Sequence, residues 1–351
     1  MRVYTWGFLG QERRVTPQLL DGHDDTTACA PGGFTFAALL CPRGVDIVGG
    51  LGVVSERSTQ FTATTAAGPV VAGAGYDYLV FACSTSPQQV FGVGHNAHGQ
   101  AVPGCAETDV TVPRPFPLHS LVTQVACGER HTLLLTDQGH VFAFGDNSNG
   151  QLGCGGVDSN SSRPMRVVVS AVTSIAAGAR HSLMTLAGTG GVAACGWNLY
   201  GQCGTGDNQD ARTPSPVSGL SGIAVTGVGA GISHSACVTP GGDVYVWGFI
   251  SGAQLIPSDA EQDASPVALT PHLLECPALD GVRAVRCGAR HVVALRHDGR
   301  LACWGCNSQG QLGTGDTKAW TSSSPHVVDG TAMRPVVDVQ CGWWHTLVLT
   351  E

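Results

Sequence analysis

The chain has almost no lysine. Of its 18 basic residues only Lys318 is one, and charged residues of both signs make up 13% of the 351 positions, about half the usual share. The net charge is −8, and the only neighbouring pair of cations is Arg13-Arg14. Sequence-blind binding to a phosphate backbone needs several clustered cations, so no direct contact with nucleic acid is expected. Long hydrophobic runs are also missing. The longest uncharged stretches, 26–42 and 58–76, are interrupted by Gly, Pro and polar residues, and neither suits a bilayer span. Charged Glu12, Arg13 and Arg14 arrive before any apolar segment that would serve as a secretory signal. The expectation is an intracellular protein of the cytoplasm or nucleus, with no membrane partner. Few charges also exclude long amphipathic helices, and with them bundles and coiled coils. There is no nucleophile elbow, no His-Glu-x-x-His stretch and no paired-carboxylate motif, so the chain does not read as an enzyme.

Glycine is abundant instead, with 49 residues, about twice the usual share. With 43% apolar residues, this composition suits short strands joined by many tight turns. Fourteen cysteines are present, and without a secretory signal they are expected to stay reduced. Cys127, Cys287 and Cys341 fall where buried strand positions are expected. Cys303-Trp304-Gly305-Cys306 has the spacing of a redox or zinc pair. It lacks both the following helix and a second ligand pair, so it reads as structural. No cofactor and no metal are expected.

The informative feature is a repeat. A small-x-Gly-x-x-His-Thr/Ser signature occurs as Ala126-Cys127-Gly128-Glu129-Arg130-His131-Thr132 and Ala176-Ala177-Gly178-Ala179-Arg180-His181-Ser182. Gly231 to Ser235, Gly288 to Val292 and Gly342 to Thr346 carry further copies. From His to a second marker glycine the spacing is 14 residues for His131–Gly145, His234–Gly248 and His291–Gly305, and 15 for His181–Gly196. Fixed spacing across a Gly-bearing turn describes a β-hairpin of set register. A Gly-Gln-Leu-Gly type loop follows (Gly150 to Gly153, Gly201 to Gly204, Gly310 to Gly313), then a Pro-marked strand, giving about four strands per unit. Two worn copies precede these, one with Thr35 and one with Tyr76 or Tyr78 in place of His. The marker glycines become Gly7, Gly49, Gly94, Gly145, Gly196, Gly248 and Gly305, seven in all.

The two ends complete one hairpin. Residues 345–351 supply its first strand, and 1–7 a second strand with no partner of its own. Their pairing closes a ring and removes open sheet edges. The expected fold is all-β: a single seven-bladed β-propeller, monomeric, closed by its terminal strands. Its repeat units run approximately over 1–44, 45–87, 88–138, 139–190, 191–241, 242–298 and 299–351, with an insertion at 254–280.

These units resemble the repeats of the regulator of chromosome condensation family, strongly over 88–351 and weakly over 1–87. The resemblance implies a seven-bladed propeller. The family includes a chromatin-bound guanine-nucleotide exchange factor for a small nuclear GTPase, a plant ultraviolet photoreceptor and many regulatory domains. The exchange factor's basic tail has no counterpart here. Of the photoreceptor's dense tryptophans only Gly342-Trp343-Trp344-His345-Thr346 is similar to a motif. A narrower likeness, to a single-propeller member that partners a Jumonji-type oxygenase, rests on Trp6-Gly7-Phe8, the worn early blades and the acidic insertion. The implied role is a non-enzymatic interaction scaffold or regulatory subunit; the alternative is guanine-nucleotide exchange on a small GTPase.

The repeated histidines read as hydrogen-bonding residues that hold the strand beside them, because one side chain per blade does not converge on an ion. The Gly-rich loops read as turns, since no helix or lysine follows as a phosphate cradle requires. The two variable residues between Gly and His occupy one rim of the ring in every blade. Arginine and tryptophan dominate binding hot spots, so Phe34, Arg130, Arg180, Arg290, Trp343 and Trp344 are the expected partner-binding positions.

Overall fold

A computed structural model describes the chain except for residues 10–11, 21–25, 27, 31–32, 34–35, 42–43, 50–57, 63–68, 84–87, 157–160, 170, 251–266, 318–324 and 329–334. Seven four-stranded antiparallel sheets are arranged as blades around a central channel. Blade I joins the two ends of the chain: Val336–Cys341 and His345–Thr350 form its inner half, Arg2–Leu9 and Glu12–Leu19 its outer half. Blades II to VII follow in chain order, and each begins with its innermost strand. Those strands are Ala28–Ala30, Pro69–Ala74, Val122–Cys127, Val172–Ala177, Gly227–Ala230 and Val282–Cys287.

The closing register is that of an ordinary blade. Gly7 faces His345 and Arg2 faces Thr350, just as His131 faces Gly145 in blade IV and His291 faces Gly305 in blade VII. Gly145 shows why the marker is glycine: its φ is 106°, and a Cβ there would lie 2.4 Å from the carbonyl oxygen of Arg130. The extra residue between His181 and Gly196 is absorbed in the hairpin turn, since the ladder continues from His181↔Gly196 to Thr185↔Val192. Outermost strands carry the prolines, as in Ala211–Pro216 with Pro214 and Ala268–Leu273 with Pro271. An outer edge has no further ladder to donate to, so the missing N–H does no harm there.

Apolar side chains meet between adjacent blades. Trp304 and Val292 of blade VII pack with Val246 and Ile250 of blade VI, and Trp247 of blade VI packs with Leu183 and Cys203 of blade V. Across three of the seams the signature histidine reaches forward to the neighbouring blade rather than along its own. His131 Nε2 lies 3.0 Å from Ser182 Oγ, His181 Nε2 lies 2.9 Å from Ser235 Oγ, and His291 Nε2 lies 3.1 Å from Thr346 Oγ1. The hydroxyls in turn donate to the carbonyls of Gln151, Gln202 and Gln311. The hydrogen-bonding role expected of the histidines holds for these three, which act as latches between blades because the imidazole is long enough to cross the seam.

One early position needs correction, and a second is settled between its two alternatives. Phe36, not Thr35, occupies the histidine position of blade II: it faces Gly49 and packs over Gly33. The spacing is therefore one residue shorter, and an apolar ring replaces the imidazole. In blade III the residue is Tyr78, facing Gly94. Its hydroxyl donates to the carbonyl of His131 at 2.5 Å, so a phenol makes the seam contact. The expected insertion at 254–280 is also partly regular structure. Residues Ala268–Leu273 form the outer strand of blade VI, and Pro277–Leu279 forms one 3-10 turn leading to blade VII. Of the expected insertion, 254–266 lie outside the described residues.

Candidate functional site

On one face the innermost strands end in the signature glycines, and in five blades the next residue bonds to the neighbouring blade through the backbone. Glu129 N donates to Ala179 O, Ala179 N to Gly231 O, Ile232 N to Ala289 O, Ala289 N to Trp343 O, and Trp343 N to Gly33 O, at 3.0–3.2 Å. This collar pinches the channel. The mouth it leaves, lined by Gly128, Gly178, Gly231, Gly288 and Gly342, encloses about 60 Å³, room for one or two waters. The face therefore offers a surface, not a small-molecule pocket.

The following residue points outward from the collar. Its carbonyl accepts from the residue just after the marker glycine: Arg130 from Asp146, Arg180 from Trp197, Ser233 from Phe249 and Arg290 from Cys306, at 2.7–2.8 Å. Two concentric rings of side chains result. Arg130 and Arg180 are 45% and 43% exposed, and both bind one carboxylate, with Glu129 lying 3.2 Å from Arg130 Nε and 3.5 Å from Arg180 Nε. Arg290 sits over Trp344, its Cζ 5.6 Å from the ring centroid, a cation–π pair. Trp343 meets Tyr76 edge to face at 4.9 Å. Arg130, Arg180, Arg290, Trp343 and Trp344 thus share one face, while Phe34 lies outside the described residues.

Other members of this surface were not singled out from sequence. Trp197 packs edge to face on Tyr200 at 5.4 Å, and Tyr200 stacks on Phe249 at 5.2 Å. Leu199, at the tip of the same loop, is 53% exposed. The signal was available: the residue after each marker glycine falls at the same height in every blade, and in blades V and VI it is Trp197 and Phe249. In blade III, near Arg130 and His95, Asp77 is half-buried, and its carboxyl is held above the usual range chiefly by burial. His95 Nδ1 lies 3.0 Å from Asp109 Oδ1 nearby.

Among the described residues no group of three His, Cys, Asp or Glu side chains is placed to hold a metal ion. The signature histidines are fully buried, and burial lowers His131 and His234 to about 4 and His181 and His291 to about 3. Burial likewise pushes the thiols of Cys127 and Cys341 up to about 12, which leaves them protonated and poorly nucleophilic. No helix among the described residues is long and apolar enough to cross a membrane.

The chain is thus a closed seven-bladed β-propeller whose pinched mouth is surrounded by an Arg- and aromatic-bearing face. Regulator of chromosome condensation (RCC1) repeat models match residues 138–185, 189–238 and 298–349, and a second such model matches 122–151 and 282–311. The chain belongs to that family. It is 34% identical to the ultraviolet-B receptor UVR8 of Arabidopsis thaliana over 316 residues, 88% of this chain and 69% of the receptor. It is 32% identical to the human E3 ubiquitin-protein ligase HERC2 over 272 residues, 75% of this chain but 5% of the ligase. Among solved structures, yeast RCC1 (Prp20), seen bound to Kap60, superposes with a TM-score of 0.85 at 20% identity, covering 99% of this chain and 88% of that one. Human WBSCR16 gives 0.62 at 24% identity, over 100% and 98%. At such identities these two likenesses establish the fold alone.

Proposed function

We propose that the protein is a non-enzymatic interaction subunit that docks a protein partner on its collar face. One observation carries the reading: three arginines and five aromatic side chains (Tyr76, Trp197, Phe249, Trp343, Trp344) gather in two rings on one face, around a mouth too narrow for a small molecule. Trp, Tyr and Arg anchor most of the binding energy where interfaces have been dissected. The ion pairs through Glu129 and the Arg290–Trp344 contact hold these groups in place, which lowers the entropy lost on docking. The relatives support a macromolecular role, since a further solved structure, of yeast Prp20p, concerns its binding to Gsp1p and histones.

The second reading is guanine-nucleotide exchange on a small GTPase. It is favoured by the fold shared with Prp20 and needs no catalytic motif, because exchange proceeds by displacing phosphate and magnesium with a protein edge. The test is affinity capture with mass spectrometry from cytoplasmic and nuclear fractions, using the intact protein beside Arg180→Ala, Arg290→Ala and Trp344→Ala. A partner held by the intact chain and released by folded collar variants supports docking on this face. Equal capture by all variants rejects it. A Jumonji-type oxygenase would be identified by the same experiment. Deletion should be confined to 254–266, since 268–273 is a blade strand. A nucleotide-release assay on a panel of small GTPases decides the second reading, and acceleration of several hundredfold would displace the first.

A further inference from the structure

Away from the collar the channel widens to a cavity of about 440 Å³, within the size range of small-ligand sites. It is lined by the earlier residues of the inner strands, including Thr123, Thr226 and Arg283, so it opens at the mouth opposite the collar. Ladder register identifies the residues that share a level in this channel. The residue facing the second position after the signature histidine is Ala126, Ala176, Gly229, Arg286 or Gln340 in blades IV, V, VI, VII and I. One level further from the collar, Ser174 shares a height with Asp338. Arg286 thus projects from a level where blades IV to VI carry only a methyl group or a hydrogen, and the cavity is the space those small residues leave.

The guanidinium is not used up by its surroundings. Arg286 Nη1 donates to the carbonyl of Val285 at 3.0 Å, while Nη2 lies 4.0 Å from Asp338 Oδ1, the outer limit of an ion pair. Asp338 is engaged on its other oxygen by Gln340 Nε2 at 3.1 Å. An arginine carries five N–H donors in a planar fork, and the side chain is 33% exposed toward the channel. Arg283, in the same wall, has an Nη2 donating to Val337 O at 2.7 Å and adds a second positive charge at the mouth. The hydroxyl of Ser174 has no hydrogen bond among the described residues. The lining therefore holds two cations against one carboxylate, inside a chain whose net charge is −8.

We propose that this mouth of the channel binds a small organic anion whose carboxylate or phosphate accepts paired N–H bonds from Arg286. Both groups match the guanidinium fork, and the low-dielectric walls strengthen the attraction. The site lies at the far end of the ring from the docking face and stands independently of it.

Isothermal titration calorimetry on the full chain tests this with two probes, malate for the carboxylate arm and glycerol 3-phosphate for the phosphate arm. Saturable binding of at least one is expected, weakened about tenfold or more by Arg286→Gln. Ser174→Leu should weaken it similarly by filling the cavity without changing charge, and it carries the test if Arg286→Gln fails to fold. Asp338→Asn should tighten binding several-fold, because it removes a like charge beside the anion. Arg300→Gln, in an exposed turn, should change nothing. Which probe binds distinguishes the two sources. No saturable heat with either probe, or an affinity in both Arg286→Gln and Ser174→Leu undiminished from that of the intact chain, would overturn the assignment.

Discussion

Acidification from pH 7 to pH 5 should remove much of the ring's stability through four of its buried imidazoles. In the folded chain, burial holds His131 and His234 at about 4 and His181 and His291 at about 3. Unfolded, each returns to about 6.5. Between those values the unfolded state binds the proton and the folded state refuses it, so stability is fully present above pH 6.5 and falls as the pH drops toward 4. Integrating the linkage relation for one such histidine from pH 7 to pH 5 gives a loss of about 2 kcal/mol. Four together give roughly 7 to 8 kcal/mol, comparable with the whole stability of many domains. The raised cysteine thiols act at the other end, where the unfolded chain ionises first, so stability should also decline above about pH 9. Urea unfolding followed by tryptophan fluorescence at half-unit intervals measures the profile. His181→Gln serves as the internal check: it should reduce the pH 7 to pH 5 loss by about one quarter. A flat profile, or one that His181→Gln leaves unaltered, would mean that the imidazoles titrate normally and that the latches are open to water.

Removing residues 1–7 takes away the strand that faces His345–Thr350 and should cost several kcal/mol in urea unfolding, about a strand's worth of burial and ladder bonding; an unchanged midpoint would refute ring closure. Tyr78→Phe should cost about 0.5–1.5 kcal/mol in the same assay, because the carbonyl of His131 keeps its bond from Gly128 N. In blade VII the latch position is Val292, which cannot bond His234. Val292→Thr should therefore destabilise less than Val293→Thr on the neighbouring buried position, by about 1 kcal/mol, and equal losses would show that the hydroxyl finds no imidazole. On the collar, Arg130→Ala and Arg180→Ala should leave stability within about 1 kcal/mol, since exposed ion pairs contribute little, while partner affinity measured by titration drops about 2 kcal/mol at a hot spot.

Blade count, strand count and closure were legible because the repeat writes them in glycine and histidine at fixed separations, and a hairpin register follows from such separations alone. Thr35 satisfies the 14-residue spacing to Gly49, but the hairpin of blade II is one residue shorter. The fold asked for a ring to cover Gly33, and Phe36 supplies it one position later. Tyr78 was within reach of sequence reasoning but ambiguous with Tyr76, because only the seam geometry shows which phenol reaches His131. The outer strand of blade VI was concealed inside an acidic, proline-bearing stretch, where weak strand propensity is tolerated on an edge. The rim positions were legible as a face. Their mutual contacts were not, since Glu129 bridging two arginines and Tyr76 meeting Trp343 join residues from different blades. The aromatic sector around Tyr200 depends on loop geometry that periodicity does not describe.

Blade I couples residues at opposite ends of the chain, as the bond from Thr5 Oγ1 to the carbonyl of Thr346 across 341 positions illustrates. Closing a loop of that length carries about 3 kcal/mol more chain entropy than closing a 14-residue hairpin. Six blades are local and can form as the polypeptide lengthens. The seventh must wait for both its halves, so its docking should be the late, slow step of folding, with exposed strand edges on either side of the gap until it is complete. A circularly permuted chain, with the native ends linked and new ones cut in an exposed turn such as that after Gly299, turns this long-range pairing into a local hairpin. The gap then moves to another blade, and the refolding rate reports whether the join or the sheet itself sets the pace.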